Sequence, residues 1–272
     1  MLFYQDLEKA LISSDVTFKE QIISKALAYC SKAEPKASID FKPKLFSKPS
    51  YAKVCKIVAP KDLPKRGAFH TKDGLATLIH AILHIEYSAI DLAIDAVYRF
   101  YDMPLKYKID WLEVASDEVR HFFILKEILN SLGFEYGDFT VHSGLFDASI
   151  HTSSNVLERM AIIPRHYEAT GLDVNPQIVN KLKAHKKNPT ILKTLTALDI
   201  IYKEEIIHVK KGDFWFKWIC KERGLEPEQT FKEILKRFNF SPKRGAINVK
   251  ARKEAGFSCK ELLELGAKEC ND

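Results

Sequence analysis

Two Glu-x-x-His pairs, Glu118 with His121 and Glu205 with His208, interrupt apolar stripes of helical period. Nothing else in the chain constrains its fold as much. Residues three apart in an α-helix differ by about 60° around the axis, so both members of a pair share one face. That face is otherwise oily. The first stripe reads Trp111, Ala115, Phe122, Leu125 and Leu129, and the second reads Leu195, Leu198, Tyr202 and Val209. An inward carboxylate without a partner is costly, so each pair must face something that compensates it.

Two more helical patterns carry the same anomaly. Over residues 73–101 the stripe Leu75, Ile79, Ile82, Ala89, Ala93 and Val97 encloses Glu86. Over 155–170 the stripe Leu157, Met160, Ala161, Pro164 and Tyr167 leads to Glu168, and Gly171 marks its expected end. Pro164 should kink this helix, because proline lacks the N–H that an interior helical position donates. The pair-bearing helices are expected over 108–132, with Gly133 as C-terminal cap, and over 189–223.

Four inward carboxylates would repel one another unless cations sit among them. Two divalent ions neutralise four carboxylates. One Glu from each of two helices, plus Glu-x-x-His from each of two others, is the ligand set of a carboxylate-bridged di-metal centre inside an all-α four-helix bundle. The candidate ligands are Glu86, Glu118, His121, Glu168, Glu205 and His208. Oxygen-rich ligation with two imidazoles suits iron or manganese better than zinc. A single Glu-x-x-His is a weak signal, but two of them in alternation with single inward Glu residues are specific. The third helix also offers Glu158, roughly 80° around the axis from Glu168. Glu168 follows Leu157 by eleven residues, as Glu86 follows Leu75, which favours Glu168 and leaves Glu158 as a solvated side chain.

The flanks are read more coarsely. Residues 3–33 suggest two short helices, with Ser14 or Asp15 capping the second. Residues 34–70 carry five prolines and many lysines, and are expected to be an extended, turn-rich wrap. The chain therefore divides into 1–70, a bundle over 71–224 and an extension over 225–272. A net charge of +6 over 272 residues is too modest to establish nucleic-acid binding. No apolar run approaches ~20 residues, so no membrane span is expected. Cys30, Cys55, Cys220, Cys259 and Cys270 show no zinc or redox spacing, and reduced thiols in a cytoplasmic protein are expected.

Side chains near the ligands need other roles. His80 and His84 are expected to be buried and hydrogen-bonded to backbone or to the segment YGDFTVH, residues 136–142. His142 is a candidate to orient a ligand, His166 is expected at the surface, and Asp95 should pair with Arg99 one turn on. Tyr167 and Tyr202 are read as packing residues.

The strings LIHAILHIEYSAIDLAIDAVYRF, DWLEVASDEVRHFFIL, YGDFTVH, RMAIIPRHYEATGLDVNP and EEIIHV, with the tail INVKARKEAGFSCKEL, carry a resemblance. Together they look like an uncharacterised bacterial ferritin-like family, over roughly residues 60–265. The resemblance implies a ferritin-like bundle with a di-iron type site. The family pattern E-A-R-G-L-D aligns with Glu168 to Asp173, which supports Glu168 as the third-helix ligand. Thr170 stands where that pattern has Arg, so no cation is expected there. More distantly, the chain resembles the non-haem di-iron hydroxylase that modifies tRNA, in fold and ligands rather than in substrate.

Three function classes follow: an oxygen-activating oxidoreductase, an iron-handling or storage protein, and a structural protein with a vestigial site. The extensions on either side of the bundle favour a shaped pocket or partner surface, hence the oxidoreductase. The substrate, small molecule or nucleic acid, stays open, as do the electron donor and a homo-oligomeric state.

Overall fold

A computed structural model describes residues 2–64, 67–240 and 246–271. The chain is all-helical. No strand forms among the described residues, where extended pairing amounts to an isolated parallel bridge between Ile57 and Val141. Two compact units result, Met1–Ile150 with His185–Ala197, and His151–Ala184 with Leu198–Asp272.

The first unit begins with α1, Phe3–Ile12, and α2, Val16–Cys30. The Asp15 carboxylate accepts from the Thr17 amide and so satisfies one free N–H at the start of α2. Two long helices form the centre, α3 at Lys72–Arg99 and α4 at Leu105–Ser131. Thr71 caps α3 through the Gly74 amide. Pro104 precedes α4, where its missing N–H costs nothing. Gly133 adopts φ +75° just past α4 and closes it, as the sequence led one to expect. The stripes read from the sequence are inside: Leu75, Ile79, Ala93 and Val97 of α3, and Trp111, Ala115, Leu125 and Leu129 of α4, are each at most 2% exposed.

Residues 34–64 run mostly extended and include two short 3-10 turns, Ser50–Lys53 and Pro60–Asp62. They are fastened to α3. The Lys44 amide donates to the Tyr98 hydroxyl at 3.0 Å, and Arg99 Nη2 donates to the Lys44 carbonyl at 3.1 Å. Ser50 Oγ donates to Asp91 at 2.6 Å, and fully buried Lys19 from α2 reaches the same carboxylate at 2.5 Å. Arg99 pairs with Asp95 at 2.7 Å, the expected one-turn pair. Lys65, Arg66, Lys243 and Arg244 lie outside the described residues.

By length and composition α3 could cross a membrane, but 78% of its most apolar window is buried within the fold and it carries Glu86, Asp91 and Asp95. It is a core helix. After it and α4 comes the helix α5, Gly144–His151, where the chain first passes from the first unit to the second.

In the second unit α6, Val156–Ile162, passes into a π-helical segment, Ile163–Glu168, and then into α7, Ala169–Lys183. Pro164 leaves a backbone carbonyl without its usual donor, and the wider turn absorbs the defect. The irregularity expected at Pro164 takes the form of this π turn. Gly171 does not end the helix. It takes no positive φ, and the helical run continues to Lys183. The 34-residue α8, Pro189–Glu222, contributes its start to the first unit and the rest to the second. A Cβ at Gly212 of α8 would overlap the Pro164 ring, so glycine is what allows the helix and the π segment to touch.

Three short helices close the unit: α9 at Pro227–Arg237, α10 at Val249–Glu254 and α11 at Cys259–Glu264. Arg165 is their hub. Fully buried, it pairs with Asp213 at 3.0 Å and Glu261 at 2.5 Å, and its guanidinium lies 4.5, 4.2 and 4.7 Å from the rings of Phe216, Phe231 and Phe257. Arg252 adds a buried pair with Asp173 at 2.7 Å. One expectation is overturned here. Cys259 and Cys270 form a disulfide, because the tail turns back past Gly266 at φ +109° and brings the two Cα atoms to 5.4 Å. Cys30, Cys55 and Cys220 are buried free thiols.

Candidate metal centre

The first unit gathers three of the candidate ligands. The α3–α4 hairpin turns at Asp102, and Glu86 and Glu118 stand sixteen residues on either side of it. Antiparallel helices therefore bring them to one level, and His121 lies a turn beyond Glu118 on the same face. His121 Nδ1 is 3.1 Å from Glu86 Oε2 and 3.3 Å from Glu118 Oε2. All three are buried, at 4% exposure for Glu86 and 0% for Glu118 and His121. Each offers a ligand atom within 4.8 Å of the others, a group that could hold a metal ion.

The electrostatics of the trio fit a cation. Burial, and then the charge of Glu118, push the Glu86 carboxyl up to about 7. Burial works against a charged His121, yet its hydrogen bonds to Glu118 and Glu86 prevail and raise it to about 11. The carboxylates thus draw positive charge into the core. A metal ion held by the same oxygens and the imidazole would supply that charge.

The second unit carries the remaining candidates. On α8, His208 Nδ1 lies 3.5 Å from Glu205 Oε1, and His208 is fully buried while Glu205 is half-buried. Glu168 closes the π segment, half-buried. Glu158 is engaged elsewhere: it pairs with Arg237 of α9 at 2.9 Å. The sequence reading missed that partner because it lies 79 residues away in the chain. His166, expected at the surface, is half-buried and packs on Phe240 at 3.9 Å between ring centres. Asn248 donates to the Tyr202 hydroxyl at 2.7 Å.

The histidines of α3 serve the fold, as expected. The Gly137 amide donates to His80 Nε2 at 3.0 Å, and His84 binds the Tyr136 hydroxyl and the His142 carbonyl. His142 in turn accepts from the Gly144 amide through Nδ1. Two features escaped the sequence reading. One is the Arg165 hub, whose carboxylates lie far along the chain. The other is a cavity of about 450 Å³ in the second unit, lined by His166 and Thr170 of the helical run that bears Glu168, and by Phe231, Leu235, Phe240 and Ile247.

The family described as "Protein of unknown function (DUF455)" matches residues 11–263 of this chain. An "Uncharacterized protein" of Haemophilus influenzae is 41% identical over 213 residues, which is 76% of this chain and 72% of that protein. No solved structure matches the chain.

Proposed function

The chain belongs to the DUF455 family, and we propose that it is a di-iron protein that activates oxygen to oxidise an organic substrate. In this reading Glu205 joins Glu86, Glu118 and His121 in a Glu/Glu/His/Glu group, and Glu168 and His208 complete the second metal position. A ferritin-like bundle of α3, α4, the α6–α7 run and α8 belongs to the same proposal, as does a cytoplasmic setting.

The observation that carries it is the buried trio. Two carboxylates meeting an imidazole at 3.1 and 3.3 Å deep in an apolar core would be replaced by hydrocarbon side chains if packing were their purpose, since a buried ion pair often stabilises no better than an apolar isostere. Bound iron would supply oxygen binding and redox chemistry. The chain's own contribution is to hold the ions with carboxylates that can shift as charge changes, and to exclude water. The cavity beside the helical run of Glu168 favours an organic substrate over iron storage, because a mainly apolar recess of this size suits a small molecule.

The test is metal analysis with an optical spectrum. Protein purified anaerobically and titrated with ferrous iron should bind two ions per chain, and air should then produce the charge-transfer absorption of a ferric carboxylate site. Failure to bind iron or manganese in the intact protein would remove the reading. Iron that is oxidised and released in ferric form, without any organic product, would favour the iron-handling alternative.

A further inference from the structure

A second piece of chemistry lies outside the ligand set, on the other side of α3. His84 Nε2 is 3.0 Å from the His142 carbonyl. A carbonyl only accepts, so Nε2 carries the ring proton. In the neutral imidazole Nδ1 is then a bare acceptor. That nitrogen is 2.9 Å from the Tyr136 hydroxyl, and the phenol must be the donor. The hydrogen bonds therefore set the tautomer and aim a phenol O–H at an imidazole base.

The ring of Tyr136 is held on several sides. His80 stacks on it at 5.3 Å, Tyr87 at 5.3 Å, and Phe122 meets it edge-on at 5.4 Å. The Gly137 amide, bound to His80, anchors the backbone beside it. Burial raises the phenol well above its ordinary range, so the neutral form is the resting state. Two other buried phenols, Tyr98 and Tyr87, have different partners. Tyr98 donates to the Glu8 carboxylate, and Tyr87 shares a hydrogen bond with Ser50. A carboxylate or a hydroxyl is a far weaker base than imidazole.

We propose that Tyr136 and His84 form a one-electron donor pair in which oxidation of the phenol is coupled to proton transfer. The Tyr136 O–H bond breaks, its proton bonds to His84 Nδ1, and one electron leaves to a one-electron oxidant. The products are a neutral phenoxyl and an imidazolium still hydrogen-bonded to it, and reduction reverses both transfers. Phe122 follows His121 directly in the chain and touches both Tyr136 and Tyr87. That contact would let the pair serve an oxidised metal centre. The service rests on the di-iron reading, whereas the donor chemistry does not.

The test uses the metal-free, full-length protein. Flash photolysis with a ruthenium tris-bipyridine sensitiser and a sacrificial acceptor generates the oxidant, and electron paramagnetic resonance reads the radical. The wild type should give a long-lived neutral phenoxyl signal whose formation slows in D2O. Tyr136→Phe keeps the ring and its packing, and should lose that signal. His84→Gln should reduce its yield about tenfold and abolish the isotope effect, with folding confirmed by circular dichroism. An undiminished signal in Tyr136→Phe would overturn the proposal, as would unchanged yield and isotope effect in His84→Gln. A radical that forms as described in a protein that never binds iron would uphold the pair and remove only the metal reading.

Discussion

The Gly137 amide donates to His80 Nε2 at 3.0 Å, and this bond commits the imidazole to its neutral form. Burial lowers His80 from 6.5 to about 4, with Asp138 nearby acting in the opposite direction. A depressed histidine contributes stability that is complete above the unfolded value and is lost as pH falls toward the folded one. Stability should therefore decline between about pH 6.5 and pH 4, by roughly 3 kcal/mol from this group alone. Urea unfolding of wild type and His80→Gln at pH 7 and pH 4.5 checks it. The variant should be less stable at pH 7 and lose less on acidification. Equal losses in both proteins would refute the assignment.

Gly212 and Gly171 should respond oppositely to alanine. At Gly212 the new methyl would overlap Pro164 and push α8 off the π segment, at a cost of about 1–3 kcal/mol. At Gly171 nothing lies within 4 Å and the residue sits inside α7. Alanine there should stabilise the protein by about 0.4–1 kcal/mol. Melting temperatures of the two variants should move in opposite directions.

Arg165→Met should be among the most damaging single changes in the second unit. It fills the aromatic cage but leaves Asp213 and Glu261 buried without their cation, a loss of about 3–5 kcal/mol. Adding Asp213→Asn and Glu261→Gln should restore much of that loss. Equilibrium unfolding of the single and triple variants decides, and a triple variant no better than the single one would show that shape, not charge, governs the hub.

Metal content separates ligands from scaffold. On the proposed di-iron reading, Glu118→Ala and Glu168→Ala should each bind half as much iron as the wild type or less, because each would remove a ligand oxygen. Neither should lower the melting temperature of the metal-free protein much, since losing one buried carboxylate relieves repulsion among those left. Glu158→Ala should keep its metal and lose at most about 1 kcal/mol, the worth of a partly exposed ion pair with Arg237. Plasma emission analysis and melting curves read all three. Emptying by Glu158→Ala alone would transfer the third-helix role to Glu158.

The parts legible in the sequence were those governed by local periodicity. The stripes of α3 and α4 placed Glu86, Glu118 and His121 on inward faces because helical phase is a property of neighbouring residues, and the burial of all three bears this out. The histidines His80 and His84 were legible too, since the polar YGDFTVH segment just past α4 offered partners, although these lie 57 and 52 residues along the chain. What stayed hidden depends on contacts with no local signature. Cys259 and Cys270 pair across a backward turn, Glu158 finds Arg237, and Arg165 collects Asp213 and Glu261 from two remote helices. Gly171 was read as a stop because glycine often ends helices, yet only a left-handed φ makes it one, and here the φ is ordinary.

The π segment at Ile163–Glu168 behaves as one surplus residue spliced into an otherwise continuous rod. Each residue of an α-helix advances the phase by about 100°, so everything after the splice is rotated relative to everything before it. Leu157 and Met160 answer to one clock, and Leu172 and Asp173, which meet Asn248 and Arg252, answer to another. Deleting a single residue there, Pro164 for instance, would tidy the hydrogen bonding into an uninterrupted helix and at the same stroke swing α7 out of step with α10.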